Sequence, residues 1–480
     1  MYGRYPSDDM KAVFGNERKF KGWRDCWIAL AESEMELGIE AVKPEYVDAL
    51  RRTRENIPYE RADELEKKLR HDVMAHVNAW KEQLESECPG AGGIIHLGAT
   101  SMFVCDNTEL LQARDGLDIL IAKTVNVFRR MVPFAVEYKE TPCLAKTHYQ
   151  PAQPTTYGKR ICDWMHGFAI ALERLEYERS MLRGRGVKGT TGTQDSFLTL
   201  FNGDSQKVAA LDRIVSQKLG FNGTYPITTQ TYPRIVDYTV AAAVAGIAVA
   251  AKKACTDLRI LQGHNEVSEP FRKSQIGSSA MAHKRNPMRA ERACALARHV
   301  IEAPGEAAAM ASEQWLERTL DDSAERRIIN PDTFLGADSV LNIMLDIFSP
   351  DTEKQAGFRV YPAVALRNLG EVMPFLVSEQ LMMNAVKAGG DRQEIHETVR
   401  QCAVKARESI EAGKENTMIE LMAGHPELNM PSGDERKALL DPSRYVGTAP
   451  QQVTLFLKEV ADPILEKYIH VPKIDGSVKV

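Results

Sequence analysis

The chain has 480 residues, of which 44% are hydrophobic and 26% charged, a composition that can bury a sizeable core and excludes general disorder. At ~100–200 residues per domain, about two to four domains are expected. The formal net charge of -5 argues against a broadly basic nucleic-acid surface but leaves room for a local cationic pocket.

Strand signals are scarce and the helical period dominates, so the predicted fold class is all-α. Residues 1–100 read as a small domain of shorter amphipathic helices broken by Pro and Gly. The opening stretch, MYGRYPSDDMKAVF, lacks the apolar core of a signal peptide. Residues 101–353 hold the longest patterns. One helix is predicted from Asn107 to about Tyr138, with Asp106, Asn107 and Thr108 offering capping oxygens and Pro133 a kink. A second runs from Thr155 to about Arg183 and stops at Gly184 and Gly186. A third, Ile235–Leu261, contains the apolar run Val240–Ala251, read as the middle of a fully buried helix. That run is well short of the ~20 residues of a membrane span, and no membrane partner is expected. Pro287 to about Met310 is the fourth. Helices of ~25–30 residues span ~40 Å. Together they predict an elongated bundle whose Ala-rich faces are buried on several sides, as in an oligomer core. Residues 354–480 again read as short helices. The eight cysteines are scattered without a C-x-x-C pair, as expected of free thiols in a reducing compartment, the cytoplasm.

Five segments carry chemistry. In Leu69–His76 (LRHDVMAH), Arg70, His71 and Asp72 are consecutive and cannot share one helical face. Asp72 could orient an imidazole or bind a ribose hydroxyl, and a solvated charged turn is the alternative. In Leu97–Asn107 (LGATSMFVCDN), Thr100 and Ser101 offer hydroxyls ahead of a helix, either as a small-anion cradle or as a simple cap. Lys146–Pro154 (KTHYQPAQP) sets His148 among Thr147, Gln150 and Gln153 in a Pro-flanked turn. Histidine suits proton transfer near neutral pH, although a lone loop histidine is often incidental. The loop Gly184–Ser196 (GRGVKGTTGTQDS) fails the P-loop pattern, because Thr190 stands where the lysine belongs. Gln275–Glu291 (QIGSSAMAHKRNPMRAE) joins exposed hydroxyls to Lys284, Arg285, Arg289 and Asn286. It could stabilise charge developing on a carboxylate, or be a solvated basic loop. No Cys/His cluster has zinc spacing, and His264–Asn265–Glu266 is not H-E-x-x-H, so no metal and no cofactor are expected.

Together, GSSAMAHKRNP, T-S-x-x-x-x-D-N and T-H-x-Q-P-A-Q resemble the signatures of the fumarase/aspartase superfamily, in the expected order. RYPSDDM, LRHDVMAHV, RGVKGTTGTQDSF, QTYPR and ERTLDDSAERR are similar to the adenylosuccinate lyase family of the animal type within it. One departure is Ala282, where the family usually has Pro, which should alter loop mobility without removing a reacting group. The resemblance implies three helical domains, bounded as above, whose long helices form the core of a homotetramer with shared active sites. It implies release of fumarate from a succinyl-substituted nucleotide, with Ser278 as base, His148 as acid, Lys284 and Asn286 holding the carboxylate and His71 in support. It assigns Arg4, Tyr5, Arg292, Ser323 and Arg327 to phosphate and ribose, and Arg70, Asp72, Thr100, Ser101, Thr147 and Gln230 to the rest of the pocket. Two rivals remain: a sister lyase acting on argininosuccinate, which has no phosphate for Arg4, Arg292 and Arg327 to hold, and a catalytically idle helical scaffold.

Overall fold

The computed structural model describes residues 3–276, 279–353 and 355–475. Five helices precede the bundle: α1 (Asp8–Val13), α2 (Asn16–Glu36), α3 (Pro44–Thr53), α4 (Tyr59–Leu69) and α5 (Asp72–Glu85). Ser7 caps α1 through its side chain. Trp23, Trp27 and Trp80 pack together beneath α2 and α5, and this cluster is continuous with the core of the long helices.

The bundle consists of α6 (Ser101–Glu137), α7 (Tyr157–Met181), α10 (Ile235–Gly263), α11 (Met288–Glu313) and α12 (Asp322–Ile347), with the short α8 (Asp195–Leu200) and α9 (Ser205–Lys218) between α7 and α10. Small residues allow the close crossings. A Cβ on Gly167 would lie 3.3 Å from Ala250 Cβ, and one on Gly246 would lie 3.6 Å from Ala171 Cβ. The α7–α10 crossing is therefore nearly backbone on backbone. Three helices match the predicted ones to within a few residues. The first does not: α6 begins at Ser101, with Thr100 as its N-cap. Asp106, Asn107 and Thr108 are wholly buried within its first two turns and cap nothing. α12 has no counterpart in the sequence reading, because Pro331 interrupts its pattern; the proline lies inside the helix.

Two features differ further from expectation. Lys146–Pro154 lies in a β-hairpin, β1 (Pro142–Thr147) and β2 (Gln150–Thr156), paired antiparallel from Pro142↔Thr156 to Thr147↔Gln150. Its prolines hid it, yet a two-stranded ribbon has only edge strands and tolerates them. α10 is not buried all round, since Ile235, Tyr238, Val249 and Ile260 are exposed. Its 29 residues are long and apolar enough to cross a membrane by length and composition, and here they pack against α7, α11 and α12.

Two-residue strands β3 (Val267–Ser268), β4 (Phe271–Arg272), β5 (Gln355–Ala356) and β6 (Arg359–Val360) pair as β3–β6 and β4–β5 beside the bundle. Beyond them, α13 (Pro362–Gly370), α14 (Met373–Lys387), α15 (Arg392–Glu411) and shorter helices build a second core, into which β1 inserts Leu144.

The junction of α6, hairpin and α7 turns on Gly158. A Cβ there would lie 2.5 Å from Lys139 Cα and 2.6 Å from Ala135 O, both backbone atoms that cannot swing away. Gly158→Ala should cost about 1–3 kcal/mol through overpacking. The check is the urea midpoint, and an unchanged midpoint would mean that α7 separates from α6 without penalty.

Candidate active site

A cleft of about 610 Å³ opens at the N-terminal ends of α5, α6 and α12. Arg70, His71, Asp72, Ser101, Ser323 and Arg327 line it together. The three consecutive residues reach one cleft because they do not share a helix. Arg70 ends α4 in the left-handed region (φ 55°), and His71 is the N-cap of α5, its Nδ1 accepting Met74 N at 3.3 Å. The chain reverses between two helices and presents all three side chains. Asp72 Oδ2 accepts from Arg327 Nη2 at 3.1 Å, which ties α5 to α12 across the opening. His71 is 45% exposed, open to a ligand.

Beneath the cleft lies a buried ionic network. Asp322 accepts from Arg318 Nη2 at 2.9 Å, Arg326 Nε at 3.1 Å and Arg234 Nε at 3.1 Å. Arg234 also donates to Asp106 Oδ1 at 2.9 Å, and Arg326 pairs with Glu109. Arg318 Nη1 donates to Gln230 Oε1 at 3.0 Å, so Gln230 belongs to the same end. Asn107 joins a further loop to this end by donating to Gly186 O and accepting Gly186 N, at 3.3 and 3.2 Å. Sequence reasoning singled out neither Arg318 nor Arg326 individually. Their spacing around Asp322, four residues on each side, is the signal that marks them.

The remaining candidates stand elsewhere in the same chain. His148 and Tyr149 form the two-residue turn of the hairpin, with φ of 51° and 62°. Two successive positive φ values are those of a type I′ turn, which matches the twist of the strands but is strained for residues with a Cβ. Thr147 and His148 are exposed at this tip. His264, the C-cap of α10, secures the tip: its Nε2 lies 2.8 Å from Tyr149 OH and 3.2 Å from Lys146 Nζ. The segment bearing Lys284 and Asn286 lies at the same end of α10, where Gln262 Nε2 donates to Arg285 O at 3.0 Å. Lys284 is exposed, and Arg292 is half-buried near the start of α11. Ser278 lies outside the described residues. Arg4 and Tyr5 are not among the residues lining the cleft: Tyr5 O accepts from Asn342 Nδ2 at 3.0 Å, about 12 Å along α12 beyond Phe334, the far lining residue on that helix, at 1.5 Å per residue.

One chain therefore brings Arg70, His71, Asp72, Thr100, Ser101, Gln230, Ser323 and Arg327 to one end of the bundle. Thr147, His148, Lys284, Asn286 and Arg292 lie at the other. The 29 residues of α10 separate the two ends by roughly 44 Å. Among the described residues no three His, Cys, Asp or Glu side chains come together as metal ligands.

Burial alone would raise the Asp322 pKa, but Arg234, Arg326 and Arg318 outweigh it and hold the carboxyl below its ordinary range. With the folded value below the unfolded ~3.9, its stabilisation is complete above about pH 4 and lost as pH falls through the folded value. Asp322→Asn should cost about 3–5 kcal/mol at pH 7, because the buried Arg234 and Arg326, and Arg318 beside them, lose a shared anion. Denaturant unfolding of both proteins at pH 7 and pH 3 should show the gap narrowing in acid. A gap of constant size would contradict the assignment.

Residues 3–301 match the family model described as Lyase, and residues 374–456 match that described as Adenylosuccinate lyase C-terminus. The chain is 46% identical to an adenylosuccinate lyase of Saccharomyces cerevisiae over 481 residues, covering 99% of this chain and 97% of the yeast protein. It is 42% identical to an adenylosuccinate lyase of Schistosoma mansoni over 480 residues, covering 99% and 97%. In fold it is similar to the 3-carboxy-cis,cis-muconate lactonizing enzyme of Pseudomonas putida, with a TM-score of 0.82 at 21% identity over 96% of this chain and 99% of that one. A fumarate lyase of Mesorhizobium sp. BNC1 gives a TM-score of 0.80 at 23% identity, over 96% of this chain and all of that one (100%). From the full-length likeness to the yeast and Schistosoma proteins, the chain belongs to the adenylosuccinate lyase family, within the fumarase/aspartase superfamily.

Proposed function

We propose that the protein releases fumarate from adenylosuccinate, giving AMP, and from succinylaminoimidazole carboxamide ribotide, giving AICAR, in purine nucleotide synthesis. It works without a cofactor, as a cytoplasmic homotetramer with sites shared between subunits. The observation that carries the nucleotide reading is the cleft at the α5–α6–α12 end, where Arg70, Arg318 and Arg327 stand beside the Ser101 and Ser323 hydroxyls. Guanidinium groups match the oxygens of a phosphate ester. Argininosuccinate has none to offer.

The elimination breaks the Cβ–H and Cα–N bonds of the succinyl group and forms the fumarate double bond. Removing the Cβ proton places two negative charges on the adjacent carboxylate, an intermediate reachable only beside fixed cations and N–H donors. Ser278 takes that proton, Lys284 and Asn286 hold the carboxylate, and His148 protonates the departing nitrogen. His71 supports His148 from the phosphate side. Arg4, Tyr5, Arg292, Ser323 and Arg327 hold phosphate and ribose, while Arg70, Asp72, Thr100, Ser101, Thr147 and Gln230 complete the pocket.

Shared sites are supported by the roughly 44 Å between the two sets of groups in one chain, since no substrate of this size bridges the length of α10. Assembly is supported by exposed apolar stripes. Ile170, Tyr177 and Met181 follow one face of α7, and Ile235, Tyr238, Val249 and Ile260 are exposed along α10. The eight cysteines are all unpaired, six of them buried, which suits a reducing cytoplasm.

The test is fumarate formation from adenylosuccinate and argininosuccinate, measured side by side by absorbance. Turnover of adenylosuccinate alone is expected. Ser278→Ala should lower kcat by about 10²–10⁴, the usual worth of a positioned base, with substrate binding retained. Preferential turnover of argininosuccinate, or loss of kcat on Ser279→Ala instead of Ser278→Ala, would overturn the substrate or base assignment respectively.

A further inference from the structure

The chain leaves the bundle after Glu269 and re-enters it at Arg289, and the two points are joined by buried hydrogen bonds. The N-terminal N–H groups of α11 need acceptors, and Pro287 at its N-cap supplies no side-chain oxygen. Glu269, 6% exposed between β3 and β4, supplies both. Its Oε1 accepts Arg289 N at 2.9 Å and its Oε2 accepts Ala290 N at 3.1 Å. Arg289 returns the tie, donating from Nη1 to Pro270 O at 2.6 Å, and Asp346 Oδ2 on α12 holds its Nε at 2.5 Å. Gln262 on α10 completes the clamp: its Oε1 accepts Glu269 N at 3.1 Å while its Nε2 donates to Arg285 O at 3.0 Å.

We propose that Glu269 is a positioning residue for the segment that carries Lys284 and Asn286. Its carboxylate caps α11 from twenty residues upstream and so locks the entry of that segment to its exit. The inference rests on the reading that Lys284 and Asn286 hold the substrate carboxylate. Titration of the Glu269 carboxyl gives the clamp a handle that a purely structural contact lacks. The charged groups facing Glu269 are Arg289 from α11 and Asp346 from α12, while Gln262 from α10 is neutral. Burial raises the Glu269 pKa to about 7, against the hydrogen bonds from Arg289 N and Ala290 N and the Arg289 charge, with Asp346 adding to the rise. A protonated acid turns one oxygen into an O–H donor and cannot accept both N–H groups. The clamp is complete when Glu269 is ionised and loses one of its two ties as pH falls through about 7.

Hydrogen exchange of residues 279–286, together with kcat and KM, should be measured from pH 6 to 8.5 in the wild type and in Glu269→Gln, which copies the neutral acid. At pH 8 the variant should exchange about tenfold faster in this segment and lose about tenfold in kcat, with KM changed by less than about threefold. After correction for intrinsic rates, wild-type exchange should rise toward the variant's as pH falls through about 7, while the variant shows no such transition and α6 changes in neither. Unaltered exchange in the variant at pH 8 overturns the clamp. Faster exchange with unchanged kcat upholds the contact but overturns the positioning role, because it detaches Lys284 and Asn286 from the chemistry. The wild-type pH series needs no variant, and a flat wild-type profile overturns the pH-sensitive form of the clamp even if Glu269→Gln does not fold.

Discussion

Asp322, itself buried, accepts hydrogen bonds from three guanidinium groups: the buried Arg234 and Arg326, and Arg318, which reaches the cleft surface. A buried carboxylate is costly unless paired, and the two buried arginines are costly without it, so each makes the others tolerable. The pairing also fixes geometry. Arg318 and Arg326 flank the start of α12, Arg234 precedes α10, and Asp106 and Glu109, which share Arg234 and Arg326, belong to α6. Three long helices are thereby joined at their N-terminal ends, and the cleft above them has walls in fixed register. Ser101, Ser323 and Arg327 line that cleft because the helices carrying them cannot slide past one another.

The opposite end of the bundle is organised by turns and loops. The hairpin presents His148 from a two-residue turn with positive φ at both positions, a conformation that costs roughly 1–3 kcal/mol per strained residue and persists only where its surroundings hold it. Tyr149 and Lys146 converge on His264 at the end of α10, and Gln153 donates to Glu379 of α14 at 2.6 Å. The hairpin is thus pinned between the bundle and the C-terminal helices while its tip projects outward. Lys284 and Asn286 do not line the cationic cleft and lie at the hairpin end.

Much of this was legible in the sequence, for identifiable reasons. The large apolar residues of α7 at helical spacing, Ile161, Trp164, Met165, Phe168, Leu172 and Leu175, and the Ala-rich run of α10 announced long helices, because such spacing puts one continuous face into a core. The three motif segments announced the family. What misled was local. Asp106, Asn107 and Thr108 look like caps, since such residues favour helix starts, yet here they are buried anchors inside α6. Pro331 hid α12 and Pro151 and Pro154 hid a hairpin, because tertiary packing overrode a proline penalty that one segment cannot show to be repaid. Arg70, His71 and Asp72 looked too close in sequence to cooperate, and only the left-handed Arg70 between two helices sends them into one cleft. The resemblance implied shared sites, but which candidate residues stand at which end of one chain was not legible in motif order, because it depends on which helix ends coincide in space.

That division is the central claim, and subunit exchange tests it most directly. His71→Ala disables the cleft end and His148→Ala the hairpin end, so either homo-oligomer should be nearly inactive. Equal amounts of the two variants, dissociated and reassembled together, place an intact His71 beside an intact His148 in about one quarter of sites if the two come from different subunits. The account predicts recovery of about a quarter of wild-type turnover after exchange, and none in mixtures kept from exchanging. No recovery despite proven hybrid oligomers would put both histidines of each site in one chain and contradict it.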